Sequence, residues 1–228
     1  FFPSVLLDAV ADLLVPELAE CKASNSLKRL NYMISRVLKL AIIASICISG
    51  IFLRYSQELG LLIFNSREAA YYMQTLALLV PFMYIDHIVD NMLKGIDEQV
   101  SSMRYNIFTS SMDVILTYLL IPAWGIKGYI FIIYFTRILN FSLSLNRLIR
   151  VTQFAVNRKV LGKSIVSIIL AIVIADILGK SLLNPGITDN NCLLFLQLGL
   201  TLLVYLVFLR LSSGLNQEDL LWIKSLLR

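Results

Sequence analysis

Carboxylates seldom occur in segments as apolar as those of this chain. From Ala69 to Lys94 the sequence AAYYMQTLALLVPFMYIDHIVDNMLK places Asp86, His87, Asp90, Asn91 and Lys94 directly behind a greasy run. On a helix, measured from Asp86, Asp90 lies at about 40°, Lys94 at about 80°, His87 at about 100° and Asn91 at about 140°, which makes one polar arc. A charge inside a bilayer costs about 2.5 to 3.5 kcal/mol on insertion scales, so such residues face protein, a cavity or one another. The chemistry open to them is to bind and release protons or cations, to meet a charged substrate, or to hold helices together. Lys94, four residues after Asp90, is positioned to offset that carboxylate. Asp8 and Asp12 repeat the four-residue spacing nearer the start of the chain. Further on, Asn106, Ser110, Asp113 and Thr117 form one stripe, and Arg137, Asn140 and Ser144 form another. Arg137 keeps its charge whatever surrounds it, so it needs a carboxylate, water or an anionic ligand. Its partner by sequence is Asp113 or an aspartate of the first or third apolar segment, either as a packing pair or as the wall of a solvated cavity. Asp176, close before Gly179, reads as an edge position.

These residues need scaffolding, and composition says of what kind. Of the 228 residues, 58% are hydrophobic and 15% are charged, with a mean hydropathy of +0.77. A soluble domain carries about 25% charged residues, and a chain of 25.8 kDa offers little interior in which to hide such an apolar surplus. The sequence therefore predicts an all-α integral membrane protein with seven transmembrane helices. They run over residues 2–19, 36–53, 69–94, 105–121, 128–146, 164–183 and 190–209. The last span, NNCLLFLQLGLTLLVYLVFL, has twenty residues without a charge, long enough for a hydrocarbon core of about 30 Å. Runs such as SIVSIILAIVIA lack the alternation of a barrel strand. Pro16, Pro81 and Pro122 mark kinks or ends, and the glycines of IPAWGIKGY make a tight turn followed by close helix packing.

The basic residues test this count. Fourteen lysines and arginines follow the first, third, fifth and seventh helices, and four follow the others. Under the positive-inside rule this puts residues 22–36, 95–104, 150–163 and 211–228 in the cytoplasm, the C-terminus among them. The formal charge of +5 is thus spread as membrane topology and not gathered into a nucleic-acid face. Residues 1–212 form the transmembrane bundle. Residues 213–228, ending LNQEDLLWIKSLLR, read as a short amphipathic helix on the cytoplasmic surface. The opening at Phe1 inside an apolar run reads as a piece of a longer protein. Cys21, Cys47 and Cys192 have no C-x-x-C spacing, and there is one histidine, so neither a zinc cluster nor a disulfide framework is expected. No Gly-rich phosphate loop, H-E-x-x-H motif or nucleophile and base at recognisable spacing occurs, and no enzyme activity or cofactor is expected.

Several stretches in order, FFPSVLLDAVADLLVPELAE, ISRVLKLAI, LALLVPFMYIDHIVDNMLKGIDEQ, LTYLLIPAWGIKGY and LNQEDLLWIKSLL, resemble the C-terminal half of the stage V sporulation protein B group of polysaccharide exporters. That group belongs to the MOP superfamily, with the MATE extruders and the MurJ-type lipid II flippases. The resemblance implies one bundle of a two-bundle transporter, helices eight to fourteen of fourteen, with an N-terminal half completing it. It implies alternating access in a bacterial plasma membrane, an undecaprenyl-pyrophosphate-linked sugar as substrate, and drive from a proton or sodium gradient or the membrane potential. The pathway residues expected are Arg137, Asp86, Asp90, Asp113, Asp8, Asp12, His87, Asn91 and Asn140. A cation-coupled extruder and a non-transporting scaffold on the same fold are the alternatives.

Overall fold

The computed structural model describes residues 4–24, 26–153, 158–182 and 190–211, with side chains over 14–24, 26–153, 162–174 and 194–211. The regular structure among the described residues is helical: α1 (Ser4–Ala23), α2 (Leu27–Phe64), α3 (Arg67–Ala77), α4 (Val80–Gly95), α5 (Gln99–Thr152), α6 (Arg158–Leu182) and α7 (Asn190–Leu211). Three helices are long and apolar enough to cross a membrane, and a fourth span is gained if α3 and α4 count as one broken helix. The expected tail helix over 213–228 lies outside the described residues.

The apolar runs located the helices but not their ends. Helix α2 begins nine residues before the expected Arg36 and runs to Phe64, so Arg54 is helical and forms an i,i+4 pair with Glu58 at 3.7 Å. The expected third span divides into two helices. Pro81 sits in the first turn of α4, where its missing N–H breaks no helical bond, instead of kinking one continuous helix. The fourth and fifth expected spans are the two halves of α5, whose 54 residues would measure about 80 Å if straight. Gly125 divides them with φ 56° and ψ −138°, a backbone that L residues rarely adopt. Pro122 is therefore inside the first half of the hairpin, not beyond its end. Each half is about 39 Å long, more than a hydrocarbon core requires. Close contacts confirm the antiparallel return, since Asn106 meets Asn140 and Glu98 meets Arg147. A Cβ at Gly128 would stand 2.9 Å from the Leu120 carbonyl oxygen, so glycine lets the halves approach.

The chain forms two compact units. The first comprises residues 1–41 and 79–156, the second residues 42–78 and 157–228. In the first unit α4 packs between α1 and α5. A Cβ on Gly95 would fall 3.0 Å from both Leu18 Cβ and the Val15 carbonyl oxygen, so α1 rides close over the end of α4. That end is closed by a Schellman motif: Glu98 N–H donates to the Leu93 carbonyl at 2.8 Å and Asp97 N–H to the Lys94 carbonyl at 3.1 Å. Asp97 takes the left-handed position with φ 61°. Lys22 donates to the Ile96 carbonyl and lies 3.8 Å from the Asp97 carboxylate, which places a cation at a helix C-terminus.

In the second unit α6 packs on α7. Tyr55, at the break in α2, is fully buried with Leu59 and Leu194, and its hydroxyl shares a hydrogen bond of 3.0 Å with Thr201. Tyr205 donates to the Ile43 carbonyl at 2.8 Å and Ser49 to the Ala77 carbonyl at 2.7 Å. With no water to serve them in an apolar bundle, these hydroxyls find backbone or side-chain partners across helices.

Candidate functional site

Helix α4 leaves its apolar side, Ile85, Ile88, Val89, Met92 and Leu93, buried. The four-residue repeat of Asp86 and Asp90 then aims both carboxylates at the α5 hairpin. There the first half of α5 presents Ser102, Asn106 and Thr109, and the returning half presents Asn140 and Ser144, each set at helical spacing. Together these side chains form a single hydrogen-bonded network.

The two carboxylates are treated very differently. Asp90 receives three neutral donors: Ser102 Oγ at 2.9 Å and Ser144 Oγ at 3.1 Å on Oδ1, and Asn106 Nδ2 at 3.1 Å on Oδ2. Asp86, only 7% exposed, receives Asn140 Nδ2 at 2.8 Å on Oδ2, whereas its buried Oδ1 has no hydrogen-bond partner among the described residues. Asn140 is the hub. Its Nδ2 also donates to Asn106 Oδ1 at 2.9 Å, and its Oδ1 accepts from Thr109 Oγ1 at 3.2 Å.

The sequence-selected residues divide accordingly. Asp86, Asp90 and Asn140 come together. Asn91 is buried on the same helix but turns away, accepting from Lys94 Nζ at 3.0 Å. The expected Asp90–Lys94 pair is therefore replaced by Lys94–Asn91, because the Asp90 oxygens are already taken by α5. His87 is exposed. Arg137 is exposed too, within electrostatic range of Asp86 but without a direct ion pair among the described residues. Asp113 is half-buried with an unpartnered Oδ1, so the Arg137–Asp113 pair allowed by sequence does not form. Asp8 and Asp12 belong to α1, and their side chains lie outside the described residues.

Two network members escaped the sequence reading. Ser102 precedes the expected helix start at Tyr105, and Thr109 was not on the stripe drawn from Asn106. The spacing of Ser102 from Asn106 would have found the first, had α5 been extended by one turn. Along the same face runs a groove of about 800 Å³, lined by Lys94, Gln99, Ser102, Asn106, Ser110 and Ser111 on its polar side. Ser102 and Asn106 thus line the groove and donate to Asp90.

At the rim, Glu98 accepts from Arg147 Nη2 at 2.9 Å and Nε at 3.1 Å, and from Ser101 Oγ at 2.7 Å. The Ser101 hydroxyl and the Arg147 guanidinium hold its carboxyl below the usual range. This pair ties the start of α5 to its end.

Among known proteins, no family model and no curated relative matches this sequence. A solved structure described as lipid II flippase MurJ in an inward closed conformation matches over 100% of this chain with a TM-score of 0.69 and 17% sequence identity. The chain spans 45% of that flippase's length. The fold is MurJ-like.

Proposed function

We infer that this chain is one bundle of a multi-pass transporter that moves a lipid-linked oligosaccharide or polysaccharide precursor across a bacterial plasma membrane by alternating access. The observation that carries this reading is the match of the whole chain to the MurJ fold. The buried polar network inside apolar helices supports it, because ionisable groups at membrane depth are costly and mark pathways. In this reading seven helices span the bilayer, residues 213–228 lie on the cytoplasmic surface, and a second bundle from another part of the polypeptide completes the cavity. Arg137, Asp86, Asp90, Asp113, Asp8, Asp12, His87, Asn91 and Asn140 line a substrate or ion pathway, and a proton or sodium gradient or the membrane potential supplies the drive.

Arg137 provides the test. It is exposed on its own unit and has no carboxylate in direct contact among the described residues, so its guanidinium is open to an anion. A planar fork binds a pyrophosphate through two parallel bonds, which an ammonium does not reproduce. In vesicles reconstituted with the protein that carries this chain, Arg137→Lys should keep part of its affinity for a prenyl-pyrophosphate-linked sugar. Its translocation rate should fall about tenfold or more, equivalent to about 1.4 kcal/mol in the barrier. Arg137→Ala should lose both binding and transport. Binding and transport retained in full by Arg137→Ala would refute the substrate contact.

A further inference from the structure

We propose that the tip of the α5 hairpin is a lipid-binding surface, seated in the phospholipid headgroup layer of the leaflet opposite Arg104 and Arg147, with Trp124, Tyr118 and Tyr129 as its anchors. The proposal rests on α5 crossing a bilayer, as the functional reading holds, and on no property of the transported substrate.

The tip is apolar where a solvent loop would be polar. Residues 121–127, IPAWGIK, are all exposed, and a Cβ built on Gly125 meets nothing within 4 Å, so the turn stands clear of the rest of its unit. Trp124 is nonetheless held in place. Its indole meets Phe131 of the returning half edge-on, with ring centroids 6.3 Å apart, and Phe131 stacks on Phe135 at 6.2 Å. This leaves 62% of Trp124 and 81% of Tyr118 uncovered, with Ile126 and Tyr129 exposed beside them. The indole N–H and the two tyrosine hydroxyls make no hydrogen bond among the described residues.

Three media are open to such a tip, and two of them are costly. In water the isoleucine and aromatic side chains would stand as an exposed apolar cluster, at about 25 cal/mol per Å² of apolar surface. In hydrocarbon the Lys127 ammonium, and the backbone groups left free where the helix breaks at Gly125, would go unserved at several kcal/mol each. The headgroup layer meets both demands, because an amphipathic ring lays its body against acyl chains and offers its N–H or O–H to phosphate and ester oxygens. Lys127, exposed within the first turn after Gly125, adds a cation at the same level.

The length of α5 sets the depth. Trp124 follows Arg104 by twenty residues and Arg147 follows Tyr129 by eighteen, which is about 30 Å and about 27 Å of helix. A hydrocarbon core is about 30 Å thick. Each half thus carries an aromatic at the tip and an arginine one core thickness away. The charges between those marks, Asp113 and Arg137, are the two already proposed for the pathway. Along the first half, Phe108, Ile115 and Leu119 are exposed apolar residues, and the exposed Ser111 hydroxyl donates to the Ile107 carbonyl at 2.8 Å, as a lipid-facing hydroxyl must. An anchor at the tip fixes the depth at which the two halves present Asn106 and Asn140 to Asp90 and Asp86.

Fluorine NMR on the fluorotryptophan-labelled protein that carries this chain, in phosphatidylcholine nanodiscs, tests the seat. The Trp124 resonance is the one missing from Trp124→Phe, or from Trp124→Tyr should the first variant not fold. A nitroxide on the lipid headgroup should broaden that resonance several-fold more than a nitroxide at the end of the acyl chain or a water-soluble gadolinium chelate. Stronger broadening from the chain-end nitroxide would put the tip in hydrocarbon, stronger broadening from the chelate would put it in water, and none from any probe would mean that protein covers it. Each of these overturns the proposal. The readout is separate from transport: a protein that moves no sugar but gives the headgroup pattern keeps the anchor and loses the flippase reading.

Discussion

A carboxylate's surroundings decide its charge, as Glu98 shows. Paired by Arg147 and Ser101 at the rim of the first unit, it is held in its charged form. Its folded-state pKa lies below the ordinary 4.5, so the pair stabilises the fold above that value, and the contribution is lost as pH falls through the folded pKa. Glu98→Gln should therefore lower stability by up to about 1 kcal/mol at neutral pH, the range for a partly exposed pair. The gap between variant and wild type should close on acidification. Thermal denaturation of both proteins across acid to neutral pH checks this, and a gap that is independent of pH would contradict it.

At the scale of elements, the α5 hairpin positions the site, and Gly125 makes the hairpin. Nothing lies within 4 Å of a Cβ built there, so substitution meets no clash and only the left-handed φ of 56° opposes it. Gly125→Ala should cost about 1 to 3 kcal/mol, the usual strain of a forced backbone. Gly162→Ala, in equally open space but within α6, should be neutral or stabilise by up to about 1 kcal/mol. Equal melting temperatures for the two variants would show that the turn is not strained. The turn was legible in the sequence, because glycine followed three residues later by glycine between two apolar runs has few other uses. The helix ends were not, since α2 and α5 continue through polar and charged residues whose hydropathy falls while their hydrogen bonding goes on. That continuation hid Ser102. The polar arc of α4 was readable from its period of 3.6, but pairing was not. Sequence spacing favoured Lys94 for Asp90, whereas three donors from α5, 12 to 54 residues away, hold it in the fold.

On the scale of the molecule, composition alone announced a chain of membrane helices, and the resemblance to the MOP superfamily anticipated the MurJ-like fold. The transport reading stands or falls on movement of a lipid-linked sugar. The decisive measurement is translocation of a prenyl-pyrophosphate-linked oligosaccharide in vesicles reconstituted with the protein carrying this chain, followed by the accessibility of its sugar to an impermeant reagent. The account predicts translocation about tenfold or more above protein-free vesicles, a barrier lowered by at least about 1.4 kcal/mol, and slower movement with Asp86→Asn. A folded, inserted protein that moves the sugar no faster than bare lipid, or that exports a small cation instead, would contradict it.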